Sequence, residues 1–483
     1  MRLGQTSVVY LISKFLGSLL GFVATIYFAR VLGEEVLGQY ALVLALLAWL
    51  GIVGKVGFSG AITKRISEGQ EPEAFVGAGL VVMGAMMAIV TIGVIVFREQ
   101  VNAYVGAPVA EFVVLLLFVS LYKSFVNASL QGNHLVHVYA ILSSGKQTVR
   151  ALVQVALVAI VGLGLTGMLW GYAVGYLVTA TIGLWVIGIR PALPEKRHIV
   201  SLFEYAKYSW LGKIESRTFE YVDIAVLGFF VSQGLVGIYS VAWAIGKFLD
   251  IFTSAISSTL FPEMSKVSAE NDASAVAGLA EDGLTYAGLI LIPGLIGALV
   301  IGDRLLLIYD EAFVAGTEVL PLLIVALLIY TYNKQLLNTL NAIDRPDLAF
   351  RSNGVFIVTN IALNVVLIWQ LGWLGAAIAT ALSAAVGLLL AYYYASTHVP
   401  FSLPLAEIAR QWLAAFGMGV TVYALRQVGE SHWLAEYNTP FVVGLVGIGA
   451  AVYFGALFVI SSRFRTTVTN NLPFDVPLAD TRR

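Results

Sequence analysis

The chain has 483 residues, of which 59% are hydrophobic and only 12% charged, and its formal net charge is −1. So little charge excludes a large soluble helical protein, which needs far more on its outer faces, and near-neutrality excludes bulk attraction to nucleic acid. There is no cysteine, which excludes disulfides, thiol catalysis and thiolate metal sites.

Long apolar stretches recur from end to end, separated by short polar joints. Each needs about 20 residues to cross the hydrocarbon core. The pattern predicts an all-α polytopic membrane protein with about fourteen transmembrane helices. They fall near 6–29, 37–60, 74–97, 109–131, 137–162, 166–188, 203–230, 235–261, 275–301, 313–338, 350–370, 373–396, 406–426 and 438–461. The first run, Thr6 to Ala29, has no clean small-residue cleavage site and is expected to stay as an anchor. Pro293 and Pro321 are expected to kink spans nine and ten. No joint is long enough to fold as a soluble domain.

Lysine and arginine set the orientation. One set of joints holds Lys64, Arg65, Arg190, Lys196, Arg197, Arg345 and Arg351 among others; the alternate set holds mainly Arg30, Arg98, Arg304 and Arg426. Both termini are therefore expected on the cytoplasmic side. The chain also repeats itself. Leu37-Gly38-Gln39-Tyr40 opens span two, and Val236-Gly237-Ile238-Tyr239 opens span eight, 199 positions later. Thr166-Gly167 and Leu374-Gly375 open spans six and twelve, 208 positions apart. Six spans is an even number, so the two halves start from the same side and form parallel six-helix repeats. The expected divisions are 1–190 (first lobe), 191–201 (cytoplasmic linker), 202–399 (second lobe), 400–461 (spans thirteen and fourteen) and 462–483 (cytoplasmic tail). Gly167, Gly171 and Gly175 recur every four residues and predict tight helix packing.

Polar residues recur at helical spacing inside several spans. Span one carries Lys14 and Ser18; span four carries Ser120, Lys123 and Asn127; span five carries Lys146, Arg150 and Gln154. Span seven carries Lys213, Arg217, Glu220 and Asp223; span eight carries Lys247 and Asp250. Weaker stripes follow at Asn338 and at Asn360 and Asn364. Lys146 and Arg150 are the sharpest signal, because like charges one turn apart repel and would together cost roughly 5–7 kcal/mol in lipid. Arg150 lies near mid-span, where snorkelling to an interface works poorly, whereas Lys123 is closer to a helix end and suits that reading. Lys14, Lys146, Arg150, Lys213, Arg217 and Lys247 are thus expected to form a cationic cavity, with Asn127, Gln154, Asn338, Asn360 and Asn364 as its neutral polar lining. Glu220, Asp223 and Asp250 read either as ion-pair partners of these cations or as proton or sodium sites for coupling. The five histidines are scattered, so no metal constellation emerges and no cofactor is expected.

The run Phe28–Ser67, containing Ala29-Arg30-Val31-Leu32-Gly33, and the run Val222–Lys266, ending near Phe261-Pro262, resemble polysaccharide-biosynthesis transporters. The chain is similar to the oligosaccharide flippase (Wzx-type) branch of the multidrug/oligosaccharidyl-lipid/polysaccharide (MOP) exporter superfamily. The resemblance covers spans one to twelve. It implies two six-helix lobes, alternating access and a glycan substrate carried on a polyprenyl phosphate or diphosphate. It also implies a non-enzymatic, monomeric transporter in the cell membrane, whose partners are the lipid-linked glycan, membrane lipids and a Na+ or H+ ion. The alternative within the superfamily is an exporter of small amphipathic compounds, which calls for an acidic rather than a basic cavity.

Overall fold

The computed structural model describes residues 3–471 apart from 56, 189, 190, 210 and 271. The side chains of 3–16, 55, 207–209, 211–216, 433–434, 470 and 471 lie outside that description. The fold is helical, with no strand among the described residues. In chain order the helices are α1 Leu3–Lys55, α2 Phe58–Ser67, α3 Pro72–Val96, α4 Arg98–Val105, α5 Ala110–Gly132, α6 Val136–Ala159, α7 Gly164–Ile187, α8 Lys196–Ser209 and α9 Leu211–Phe230. They continue as α10 Gln233–Ala269, α11 Ala273–Ala287, α12 Leu291–Leu306, α13 Val319–Ala342, α14 Pro346–Leu371, α15 Trp373–Ser396, α16 Leu405–Glu430, α17 Asn438–Ile460 and α18 Ser462–Asn471.

The fourteen expected stretches fall largely on these helices. Ten helical stretches among the described residues are long and apolar enough to cross a membrane by length and composition. The helices α6 and α9, which carry charged stripes, are not among the ten. Their charges lower the very hydropathy by which a span is recognised. Side chains such as Val96, Trp185, Val358, Trp369 and Val459 stand exposed on the helix surfaces, as lipid-facing positions require.

Several boundaries differ from the sequence reading. The first two spans form one helix, α1, broken only at Gly33, where φ is +77°. A left-handed residue interrupts the helical path there, and glycine takes that conformation without a Cβ penalty. Span nine is divided into α11 and α12. Pro293 and Pro321 lie in the first turns of α12 and α13 rather than kinking a helix midway, in keeping with the missing N–H that a first turn does not need. Pro262 does not end its helix: α10 runs through it to Ala269.

The chain forms two compact units, one comprising 1–244 and 357–379, the other 245–356 and 380–483. In the first, α1 and α10 cross at the paired glycines of the repeat. A Cβ on Gly38 would fall 1.7 Å from the Gln233 carbonyl oxygen, and one on Gly237 would fall 1.9 Å from that of Glu34. The two repeated motifs therefore meet backbone to backbone. The same device joins α6 to α7: a Cβ on Gly171 would lie 2.7 Å from the Gln154 nitrogen, and one on Gly175 2.9 Å from the Arg150 Cα. The first turn of α8 and the segment before it are fastened to the start of α3. Arg197 and the His198 ring reach the Glu71 carboxylate at 2.8 and 2.7 Å, and the Ala192 N–H donates to the Glu73 carbonyl at 3.0 Å. The His198 hydrogen bond, helped by Arg197, holds the Glu71 carboxyl below its ordinary value.

In the second unit, Arg426 of α16 bridges to Asp303 of α12 at 2.7 Å and to Glu430 at 2.8 Å. Arg304 meets Glu430 at 3.1 Å. This network fixes the ends of α12 and α16 together.

The glycine crossing yields a direct expectation. Gly237→Ala should destabilise the protein by about 1–3 kcal/mol, because the added methyl meets immovable backbone. Gly84→Ala, where nothing lies within 4 Å of a new Cβ, should leave stability unchanged within about 0.5 kcal/mol. Thermal unfolding of the two variants in the same detergent checks this; equal midpoints would remove the crossing as a structural constraint.

Candidate functional site: a cationic cavity

Helical periodicity brings the polar residues of α5 and α6 onto one wall. Ser120, Lys123 and Asn127 follow one another every third or fourth residue on α5, as do Ser143, Lys146 and Arg150 on α6. Both rows line a single cavity of about 450 Å³ inside the first unit. That volume lies in the range of small-molecule sites, roughly 300–1,000 Å³. Leu44, Leu47, Ala48, Gly51 and Ile52 of α1, Gly57, Ser59 and Ser124, Tyr172 and Tyr176 of α7, and Arg217 and Tyr221 of α9 complete it.

Four cations line this space, Lys123, Lys146, Arg150 and Arg217, and no carboxylate does among the described residues. Arg217 has an acid nearby, Glu220 at 3.7 Å, with both side chains more than a third exposed. A pair that open is worth at most about 1 kcal/mol. Lys146 sits 4.6 Å above the centre of the Tyr176 ring, with its ammonium 3.4 Å from the Tyr176 hydroxyl. Arg150 lies 6.0 Å from the Tyr172 ring and Arg217 5.9 Å from that of Tyr221. Cation–π contacts of this kind contribute roughly 0.5–2 kcal/mol each and leave the positive charge intact.

Lys123 is only 3% exposed, and its ammonium has no hydrogen-bond partner among the described residues. The Asn127 side-chain amide oxygen Oδ1 and the Arg150 Nε likewise have none. Buried polar atoms left without partners mark a place where water or a ligand belongs. Lys123 therefore departs from the snorkelling reading. It stands well inside α5 and is buried there among the residues that line the cavity, rather than reaching an interface.

The other predicted residues are distributed differently. Gln154 is buried and donates to the Met168 carbonyl at 2.7 Å and the Tyr40 hydroxyl at 2.9 Å, tying α6 to α7 and α1. Asp223 is buried and accepts from the Tyr239 hydroxyl at 2.5 Å. Asn360 and Asn364 are buried one turn apart on α14, the Asn364 amide donating to the Asn360 carbonyl at 3.0 Å. None of these four lines the cavity. Lys247, Asp250 and Asn338 belong to the second unit. There Asp250 accepts from Thr331 at 3.1 Å and lies 3.3 Å from the Ser254 hydroxyl. The side chains of Lys14 and Lys213 lie outside the described residues. Reading the sequence missed Tyr172 and Tyr176. The available signal was their position beside Gly171 and Gly175, which place them one turn apart and against α6.

Comparison with known proteins identifies the fold and the family. The model of the family described as polysaccharide biosynthesis protein matches residues 3–268, and that of lipid II flippase MurJ matches 219–409. A probable flippase, AglR, of Haloferax volcanii is 30% identical over 93% of this chain and 94% of its own. This chain belongs to the polysaccharide biosynthesis protein family. A second relative from the same organism, a probable low-salt glycan biosynthesis flippase named Agl15, is 29% identical over 84% of this chain and 86% of its own. Among solved structures, an inward closed conformation of the lipid II flippase MurJ superposes with a TM-score of 0.77 at 16% identity, covering 95% of this chain and all of that one. An inward-facing multidrug MATE transporter gives 0.63 at 13% identity, covering 80% and 98%. At such identities the likeness is one of fold.

A buried ammonium without a partner is costly, and this sets an expectation for the family member in hand. Lys123→Met, similar in length and apolar, should raise the unfolding midpoint, stabilising the protein by about 1–4 kcal/mol. A lowered midpoint in detergent would contradict the unpartnered state of Lys123.

Proposed function

We propose that the chain is a flippase that carries a glycan linked to a polyprenyl phosphate or diphosphate from the cytoplasmic to the outer leaflet. In this reading the phosphate enters the cavity of the first unit and is held by Lys123, Lys146, Arg150 and Arg217. The sugars meet the adjoining hydroxyl and amide groups, and the lipid tail stays in the bilayer. The observation that carries it is the set of four cations around one space that no carboxylate lines among the described residues. Lysine and arginine offer phosphate oxygens charge-assisted hydrogen bonds, with arginine able to bind two at once. The volume of about 450 Å³ suits the head of such a lipid.

The relatives' names support glycan biosynthesis as the setting. The transporter works without catalysis, in the cell membrane, with both termini in the cytoplasm and the two six-helix repeats as the parts that alternate. Asp223 and Asp250 are the proposed coupling acids, each buried or half-buried and held by a hydroxyl donor. An exporter of small amphipathic cations shares the fold class, but an unneutralised basic cavity repels its cargo.

Two measurements test the proposal. The Lys146→Ala/Arg150→Ala double variant should insert normally yet lower export at least about tenfold, since each charge-assisted bond is worth roughly 1.5–3 kcal/mol. In a deletion strain it should leave lipid-linked sugar accumulated on the cytoplasmic face. Export equal to that of the unaltered protein would contradict the anion site. Asp223→Asn should blunt the response of transport to pH, sodium or membrane potential; an unchanged response to all three would leave Asp223 a structural acid.

A further inference from the structure

The cavity poses a problem that its cations alone do not solve. Lys146 and Arg150 are one turn apart on α6 and repel each other, and with no anion present something must hold them in register. A carboxylate would do so, but it would also cancel the charge that a phosphate needs. The opposite wall of α7 carries a different device. Tyr172 and Tyr176 are also one turn apart, and their rings are stacked, with centroids 4.1 Å apart and planes at 15°. Each ring therefore has one face against its neighbour and one face left for a cation. Lys146 lies over Tyr176 and Arg150 over Tyr172. Each ring of the stacked pair thus gives its own cation an electron-rich partner that carries no charge. The close approach at Gly175, whose Cβ would strike the Arg150 backbone, brings the two walls near enough for this. On α9 the arrangement recurs in single form, with Arg217 beside Tyr221.

We propose that Tyr172 and Tyr176 are positioning residues that hold Lys146 and Arg150 at a fixed separation without neutralising them, so that the pair is set to receive the oxygens of a phosphate or diphosphate. Stacking and cation contact occupy the faces of these rings, so they are not a platform for the sugar. The inference rests on the anion-site reading above. It adds that the affinity of the site depends on the electron density of two rings that do not themselves touch the phosphate.

The test uses the full chain in detergent and farnesyl diphosphate as the probe, a short prenyl lipid with the expected head group. Affinity is measured for the unaltered protein, for Lys146→Ala/Arg150→Ala, and for Phe, trifluorophenylalanine and Leu at positions 172 and 176. Fluorination withdraws charge from the ring face while keeping its shape, so it separates a cation contact from packing even if the Leu variants fold poorly. The expected order of affinity is Tyr, Phe, trifluorophenylalanine, Leu, with the fluorinated ring about tenfold weaker than Phe at an equal unfolding midpoint. Equal binding by Phe and trifluorophenylalanine, with binding lost on Lys146→Ala/Arg150→Ala, would overturn the positioning role and leave the anion site standing. No binding by the unaltered protein, or binding unaffected by the alanine pair, would remove the anion site and the positioning role with it.

Discussion

A fixed positive charge away from bulk water must be compensated, and the way this chain compensates its cations governs the rest of its first unit. Elsewhere the answer is the ordinary one. Arg426 has Asp303 and Glu430, Arg197 has Glu71 and Glu195, and Arg463 has Asp282. Around the cavity it changes. Lys146 and Arg150 face aromatic rings, and Lys123 has no hydrogen-bond partner among the described residues. Rings lower the energy of a cation but leave its field in place, so the cavity stays positive. A protein selected only for stability gains nothing from that arrangement.

The backbone is built to deliver these side chains. Because lipid gives helices little hydrophobic reason to associate, small residues that let backbones approach closely do much of the work. Gly171 and Gly175 bring α7 onto α6 opposite Gln154 and Arg150. Gln154 then fastens the contact with bonds to Met168 and Tyr40, and α1 is thereby joined to the same wall. One turn along α6 from this polar clasp, Arg150 turns to the cavity. The Gly38–Gly237 crossing ties α1 to α10 by the same principle. It uses the two copies of the repeated motif as each other's partner. Tyr40 and Tyr239, equivalent in the repeat, take different hydrogen-bond partners, Gln154 and Asp223. The repeat has kept its backbone crossing while its polar contacts have diverged.

Much of this was legible in the sequence. Apolar length located most of the spanning helices, and the 3.6-residue period put Ser120, Lys123 and Asn127 on one face and Lys146 and Arg150 on another. Periodicity says that residues share a face; it does not say what that face meets. Gln154 lies on the same stripe as Arg150 yet is packed rather than open, and Asn360 and Asn364 form a stripe that is wholly buried. Lys123 read as a side chain reaching an interface, because its four-carbon stem can extend that far from a position nearer a helix end. Tyr172 and Tyr176 gave no signal of their own, since an aromatic residue in an apolar helix looks like core until its neighbour on the next helix is known. Neither the single left-handed glycine that breaks α1, Gly33, nor the proline tolerated inside α10, Pro262, was legible as such, because each depends on how the flanking helix is held.

The central claim is that the cations of the first unit's cavity hold the phosphate of a lipid-linked substrate. An experimental density map of the full chain with a bound polyprenyl-diphosphate sugar tests it most directly. The account predicts phosphate density within hydrogen-bonding distance of Lys146 and Arg150, with Lys123 close by. Phosphate density at any other place, with the cavity filled only by water, would contradict it.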